Sequence, residues 1–453
     1  MNRTDIGAFY QHGWQSWNVA AWRPTDAPLR YPVVPAHRLQ STDPCHLDDP
    51  HPGGASVGAL ELGNGQIELL GALSLDAWVT NVAGGMVASD GGQWFRHTGQ
   101  EQQTFKAYAD QLKREFGARK GPYARVWCSW YSFYNSITES AMEQVLQGLG
   151  DLHFDVVQID DGWQQSNGDW IANKDFAGGM DSIATKIKDT GRVAGLWLAP
   201  FIVDPGSDLF RKYPGMVLRD SRGDPVIAAN NWGPSYTLDV TRDDAKAWLA
   251  WEMKRIVEQG YDYLKLDFLY AAALPGCYQN DCGREQAYRE ASAVIREAVG
   301  EDVYLLACGA PVIPSLGIYN GLRVGPDVSE IWDNVDRTVH LADRAGPGGA
   351  DAITTTLGRY WLKDLIDIDP DIAYFRSRYC MLNDRQKSYL ADLAQVCQFK
   401  ANSDLPAWLL PDERQQLASF LELRPKVEQL DRYRFLLDER EVDFSGIVHH
   451  RPW

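Results

Sequence analysis

The chain is patterned in two textures. Up to about Lys120, short alternating segments such as Gln66–Leu70 and Ala77–Asn81 lie between frequent glycines, which predicts the short strands of a β-domain. From Arg125 the pattern changes to apolar runs alternating with amphipathic stretches, as in serial parallel βα units. Strands are predicted at Val126–Trp130, Phe154–Asp160, Val193–Phe201, Tyr261–Leu269, Val303–Cys308 and Leu322–Gly325. Helices are predicted over Asp243–Gln259 and Arg284–Val299, and another opens after Thr138, whose hydroxyl can cap it. Asp364–Asp369 and Phe399–Asp404, with a helix near Gln386–Val396 between them, are the candidates for the last two strands. So many units in series favour closure over an open sheet. The expected architecture is α/β: a (β/α)8 TIM barrel over 119–423, a reduced N-terminal β-domain over 1–118 and a short C-terminal tail over 424–453, with a strand pair between Tyr433 and Ile447.

In the run Tyr261–Leu269, residues two apart share a face, so Lys265 and Asp267 point one way while Leu264, Leu266 and Phe268 point into packing. A carboxylate beside an ammonium at a strand's C-terminal end is expected to stay ionised. In a barrel of this kind, that end carries the chemistry. Asp160 and Asp161, Asp327 and Asp369 likewise stand at or just past predicted strand ends. One such acid is commonplace as a cap or turn former, but several from different strands must converge at one mouth. Two carboxyl groups across a glycosidic bond are the minimum equipment for glycoside hydrolysis, one anionic and one carrying a proton. Lys265 suits Asp267 to the anionic role. Asp327 follows Gly325-Pro326, which supplies one N–H fewer, and suits the acid, against the pull of nearby Arg323.

Composition changes the picture only at its edges. A net charge of −17 argues against nucleic acid or anionic membranes as partners, although solubility is its plainer meaning. No apolar leader region opens the sequence and no run of about eighteen apolar residues interrupts it, so a cytoplasmic protein is expected. The seven cysteines are an odd number and do not form a secreted disulfide framework. Cys277 and Cys282 could bridge or share a metal, but with no second pair nearby neither a metal site nor a cofactor is expected. No glycine-rich dinucleotide fingerprint or phosphate loop follows the first barrel strand.

The chain holds 17 tryptophans. Trp130, Trp163, Trp197, Trp232 and Trp361 fall at or beyond predicted strand ends, where an indole can pack against the C–H face of a sugar; barrel core is their bland alternative, and half at most are expected to touch ligand. Within the β-domain, His12-Gly-Trp-Gln-Ser-Trp-Asn18 is an aromatic loop with neither strand nor helix period.

Six segments in order, Trp127–Tyr131, Gln158–Trp163, Leu196–Pro200, Lys265–Leu269, Cys308–Pro311 and Arg323–Asp327, resemble the barrel motifs of family 36 glycoside hydrolases, retaining α-galactosidases whose clan also contains α-N-acetylgalactosaminidases. The His12–Asn18 loop is similar to the one with which that family's N-terminal domain reaches the barrel mouth. The resemblance covers roughly Gly121 to Leu405. It implies Asp267 as nucleophile and Asp327 as acid/base, in agreement with the roles argued from their neighbours. It further implies that Asp160 and Asp161 hold the sugar's O4 and O6 hydroxyls, that Lys265, Cys308 and Arg323 contact the sugar, and that Trp17 and Trp197 wall the pocket. Trp163 stands where some relatives have tyrosine and would alter how the sugar is walled. Most of the family's N-terminal sandwich and its C-terminal β-domain are expected to be missing, which leaves open the oligomer and whether Trp17 serves its own pocket. Between Ile331 and Leu362 the match is loose and implies no roles.

The expected function is a retaining exo-α-galactosidase with its two carboxyl groups about 5 to 5.5 Å apart. The expected partner is a small carbohydrate with a terminal α-galactoside, and a homo-oligomer is compatible with the sequence. The rivals are an α-N-acetylgalactosaminidase or galactosyl-transferring relative, a metal-dependent enolase-type barrel with Lys265 as base, and a sugar-binding protein without turnover. A zinc amidohydrolase is disfavoured because no His-x-His follows the first strand.

Overall fold

The structure is a computed structural model that describes residues 7–27, 29, 42–230, 233–333 and 346–448, so Trp232 lies outside the described residues, as does the start of the chain. Eight parallel strands form the central sheet: β1 (Arg125–Cys128), β2 (Val156–Ile159), β3 (Val193–Leu198), β4 (Tyr263–Leu266), β5 (Tyr304–Ala307), β6 (Gly321–Arg323), β7 (Asp367–Asp369) and β8 (Lys400–Asn402). Their spatial order is β7-β6-β5-β4-β3-β2-β1-β8, and a parallel bridge from Ile372, just past β7, to Ala401 of β8 brings the two edges together. The result is the (β/α)8 barrel. Most strand residues are buried on both faces, as a sheet covered by helices outside and filled by side chains inside requires. Helices Glu139–Leu149, Met180–Lys188, Asp243–Glu258 and Arg284–Val299 follow β1 to β4. After β5 there is only a 3-10 turn, Ile313–Ser315, and Gly349–Arg359, Asp384–Cys397 and Pro411–Glu422 complete the ring.

The N-terminal region is an antiparallel sheet of Ala20–Pro24, Ala8–His12, Val57–Gly63, Gln66–Ala72 and Trp94–Gln100 in that order, beside a three-stranded sheet of Gly53–Ala55, Trp78–Val82 and Gly85–Ala88. A helix, Glu101–Phe116, closes it and buries Phe105, Tyr108, Ala109 and Leu112. Those positions follow the i, i+3, i+4, i+7 period of an amphipathic helix, a signal passed over among the short strands. Gly71 makes the packing close: a Cβ there would stand 2.4 Å from the Tyr108 ring. Past the barrel, Arg434–Leu437 and Arg440–Asp443 form the expected antiparallel pair, and Val427–Gln429 adds a third strand before it. This tail is tied to the N-terminal region, because Arg432 lies over Trp22 at 4.1 Å and pairs with Glu101 and Glu61. Among the described residues no helix is long and apolar enough to cross a membrane.

The N-terminal region also meets the barrel through charge. Arg284, at the head of the Arg284–Val299 helix, reaches Asp43 at 2.5 Å and lies over the Trp14 ring. Its neighbour Glu285 is buried, accepts the Asp76 N–H at 2.6 Å and donates its own N–H to Asp76 at 3.1 Å. Burial, with the Asp76 charge adding to it, pushes Glu285 up to about 7. A carboxyl raised in the folded chain stabilises fully below its unfolded value, and that contribution is lost as pH rises through the folded one. Glu285→Gln, which keeps the acceptor without the charge, should therefore melt together with the wild-type chain below about pH 4.5 and be more stable than it by about 3 kcal/mol at pH 8. Thermal melts across that range check this, and identical curves for the two proteins would contradict it.

Candidate active site

β4 delivers the central pair, although not as a mutual ion pair. Lys265 is buried and donates to Asp160 at 2.9 Å, across the barrel at the end of β2. Lys265 still favours the anionic Asp267, as expected, through its charge rather than through a direct ion pair. Asp267 accepts the Trp197 indole N–H at 3.0 Å and the Phe268 N–H at 2.8 Å. Burial raises its pKa, while the Lys265 charge and these donors, with the Cys308 thiol, pull it back down. Phe268 has φ 51°, in the left-handed region that side chains avoid. The strand is thus turned sharply right after the acid, and such strain persists where the surrounding structure fixes it.

Asp160 and Asp161 end β2. Asp160 also accepts from Gln158 at 2.6 Å and from the Cys128 thiol at 3.3 Å, while Ser129 fixes its backbone N–H. Asp161 is held by Gln164 at 2.5 Å and, among the described residues, has no cation paired with it; burial, with the Asp160 charge adding, pushes it up to about 6. On the opposite side, Arg323 ends β6 and donates to Asp327 at 3.1 Å, with Asp369 at 3.4 Å and Asp371 at 2.7 Å from the same guanidinium. The Asp327 side chain keeps 35% of its surface exposed, against 4% for Asp369, so it is the acid turned toward the opening. Cys308, past the end of β5, lies within reach of both central acids: burial pushes its thiol up, and the charges of Asp267 and Asp327 both add to that.

The indoles divide. Trp197, at register with Lys265, supports Asp267 through its N–H. Trp17 stands edge-on to Phe268 with ring centroids 5.1 Å apart, and its ring lies against Gly309, where a Cβ would come within 3.1 Å. It therefore serves its own barrel, next to Asp267 and Cys308. Trp130 is half-buried and edge-on to Tyr134. Trp163 is corrected from wall to prop: it has 0% exposed surface, and its N–H is spent on the Trp197 carbonyl at 2.9 Å. Trp361 is corrected too. It sits in a 3-10 turn before β7, stacks on Phe105 and donates to Tyr10, in the seam with the N-terminal helix.

The loop carrying Trp17 is seated by a residue in the region to which no role was assigned. Arg359 is wholly buried and donates to the carbonyls of Ser16 at 2.6 Å, Gln15 at 3.0 Å, Gly13 at 3.1 Å and Val324 at 2.8 Å. Burial draws its pKa down to about 10. Four of its five acceptors are backbone groups, the fifth being His12 Nε2 at 3.5 Å, and backbone acceptors are invisible in side-chain spacing. Ser16 adds an exchange of bonds with Ala310, and Gly358 lets the Ala20 strand approach, since a Cβ there would collide with the Ala20 carbonyl. Both Cys277 and Cys282 are free thiols, and among the described residues no group of three or more His, Cys, Asp or Glu could hold a metal.

Comparison with known proteins fits this geometry. The Melibiase family model matches residues 97–296. The crystal structure of TtGalA, an α-galactosidase from Thermus thermophilus in complex with p-nitrophenyl α-D-galactopyranoside, is 45% identical, with a TM-score of 0.92 over 98% of this chain and 91% of that one. The chain belongs to the family 36 α-galactosidases. Alpha-galactosidase AgaA of Geobacillus stearothermophilus is 31% identical over 45% of this chain, but that match spans only 28% of AgaA. The crystal structure of AgaA, at 16% identity and a TM-score of 0.62, shares the fold across 92% of this chain and 60% of its own. The chain thus spans 60% of the length of the AgaA structure.

Arg359→Met should release the loop. Deuterium uptake of the peptide spanning 12–18 should rise roughly tenfold or more, the effect of even one lost hydrogen bond of about 1.4 kcal/mol, while the barrel strands keep their protection. Unchanged uptake would show that other contacts hold the loop.

Proposed function

We propose that the chain is a retaining exo-α-galactosidase that removes terminal α-linked galactose from small oligosaccharides. The observation that carries this is the pair Asp267 and Asp327, borne by separate βα units and both bearing on the Cys308 thiol at one barrel mouth. Asp267, aimed by the Trp197 and Phe268 N–H groups, attacks the anomeric carbon to form a β-galactosyl-enzyme. Those donors fix the reacting oxygen before the substrate arrives, so little reorganisation remains at the moment of reaction. Asp327, the exposed acid, protonates the departing oxygen and then takes a proton from the incoming water. Asp160, Asp161, Lys265 and Arg323 supply the polar partners for the sugar's hydroxyls, with Trp17 as the apolar lip. The α-galactosidase relatives support this reading, since TtGalA has been captured with an aryl α-galactoside and with stachyose. A cytoplasmic setting is proposed as well, supported by seven cysteines that are all free thiols.

Asp267→Ala should abolish turnover of α-galactosides, and azide should partly restore it with β-galactosyl azide as product; near-normal activity without azide would contradict the assignment. Asp327→Ala should lose about 10²- to 10⁴-fold on galactosyl sugars, the usual worth of a general acid, and far less on aryl galactosides with good leaving groups. Equal losses on both substrates would remove Asp327 from the acid role.

A further inference from the structure

Just past β7 lies a carboxylate singled out by neither the strand-end pattern nor the family motifs. Asp371 has φ 77° and is 1% exposed. Its Oδ2 accepts the Val328 N–H at 2.9 Å and the Tyr131 hydroxyl, and its Oδ1 forms an ion pair at 2.7 Å with Arg323 Nη2. Two of the three groups it grips adjoin Asp327: Val328 is the next residue, and among the described residues Arg323 is the donor to the Asp327 carboxylate. The guanidinium stands closer to Asp371 than to Asp327, which it meets at 3.1 Å, or to Asp369 at 3.4 Å.

We propose that Asp371 is a positioning residue for the acid–base step: it fixes the backbone beside Asp327 and takes up much of the Arg323 charge, leaving Asp327 able to carry the proton it delivers. This rests on the reading of Asp327 as acid/base. In that step the proton passes from the Asp327 carboxyl to the glycosidic oxygen as the anomeric C–O bond breaks, and it returns from water when the galactosyl-enzyme is hydrolysed. With Arg323 committed to Asp327 alone, the pair would hold that carboxylate charged and oppose proton delivery.

Among the described residues the other titratable neighbours do not compete for this role. Asp371 faces Arg323, Asp327, Asp369, Tyr131 and Tyr374. Asp327 faces Cys308, Tyr131 and Tyr134 besides Arg323 and Asp371. Burial pushes the thiol and all three phenols up, so none of them ionises near neutral pH. Asp371 itself is pushed up by burial, against the pull of Arg323, to about 6, and is anionic above that pH.

Asp371→Asn removes a negative charge near Asp327 and frees Arg323 to bind it, and both changes favour the charged Asp327. The test is kcat/KM against pH on an α-galactosyl sugar whose leaving group needs a proton. The alkaline limb should move to lower pH by about one unit, a roughly tenfold loss at any pH on that limb. A purely structural role would scale the whole profile and leave the limb in place, and that result, or an upward shift, overturns the proposal. If Asp371→Asn does not fold, Asp369→Asn carries the test, with a smaller downward shift expected from the more distant carboxylate and an unmoved limb again overturning it. A wild-type chain inactive on α-galactosides at every pH would instead overturn the reading on which the proposal rests.

Discussion

Two buried cations hold the barrel mouth together. Six aspartates gather there from the ends of β2, β4, β6 and β7, and so many carboxylates in a water-poor pocket would repel one another and the fold alike. Lys265 binds Asp160 on one side, and Arg323 is shared by Asp327, Asp369 and Asp371 on the other. Each cation sits on a strand whose hydrogen bonds to both neighbours fix its height in the barrel. Among the described residues Asp161 and Asp267 have no cation bonded to them and rely on neutral donors, Gln164 for one and Trp197 for the other. The division is chemically useful: the acids that carry a cation are locked in place, and those held by neutral donors keep lone pairs that are not tied up in an ion pair.

How much of this was legible in the sequence follows from which forces leave a local pattern. Parallel strands buried on both faces write continuous apolar runs, and the alternation with helices identified the barrel and six of its strands. The last two, short and polar at their ends, were located by position in the series as much as by pattern. Period-two reasoning put Lys265 and Asp267 on one face, yet it could not say that the longer lysine side chain would cross to Asp160. That choice depends on the registers of β3 and β2, since Asp160 lies two strands away. The same limit applies to Trp163: proximity to a strand end is shared by a residue over the pocket and by one beneath it, and only packing against Trp170 and the Trp197 carbonyl separates them.

Asp371 and Arg359 were illegible for a different reason. Asp371 acts through a backbone N–H, a tyrosine and an arginine that lie 43, 240 and 48 positions away, the first two separations being those of its hydrogen bonds. Arg359 binds main-chain oxygens, which every residue possesses and which therefore leave no compositional trace. Each completes a site whose motif residues were recognisable without it.

The seating of the His12–Asn18 loop has a practical corollary. Because Arg359 grasps the loop by its main chain, the Trp17 indole is a passenger on a path set by other atoms. In the proposed role of Trp17 as the lip of the pocket, that lip is thereby uncoupled from its mounting. Swapping that one aromatic group offers a way to widen or narrow the entrance, and so to tune which glycans enter, while the attachment of the N-terminal sheet to the barrel is kept.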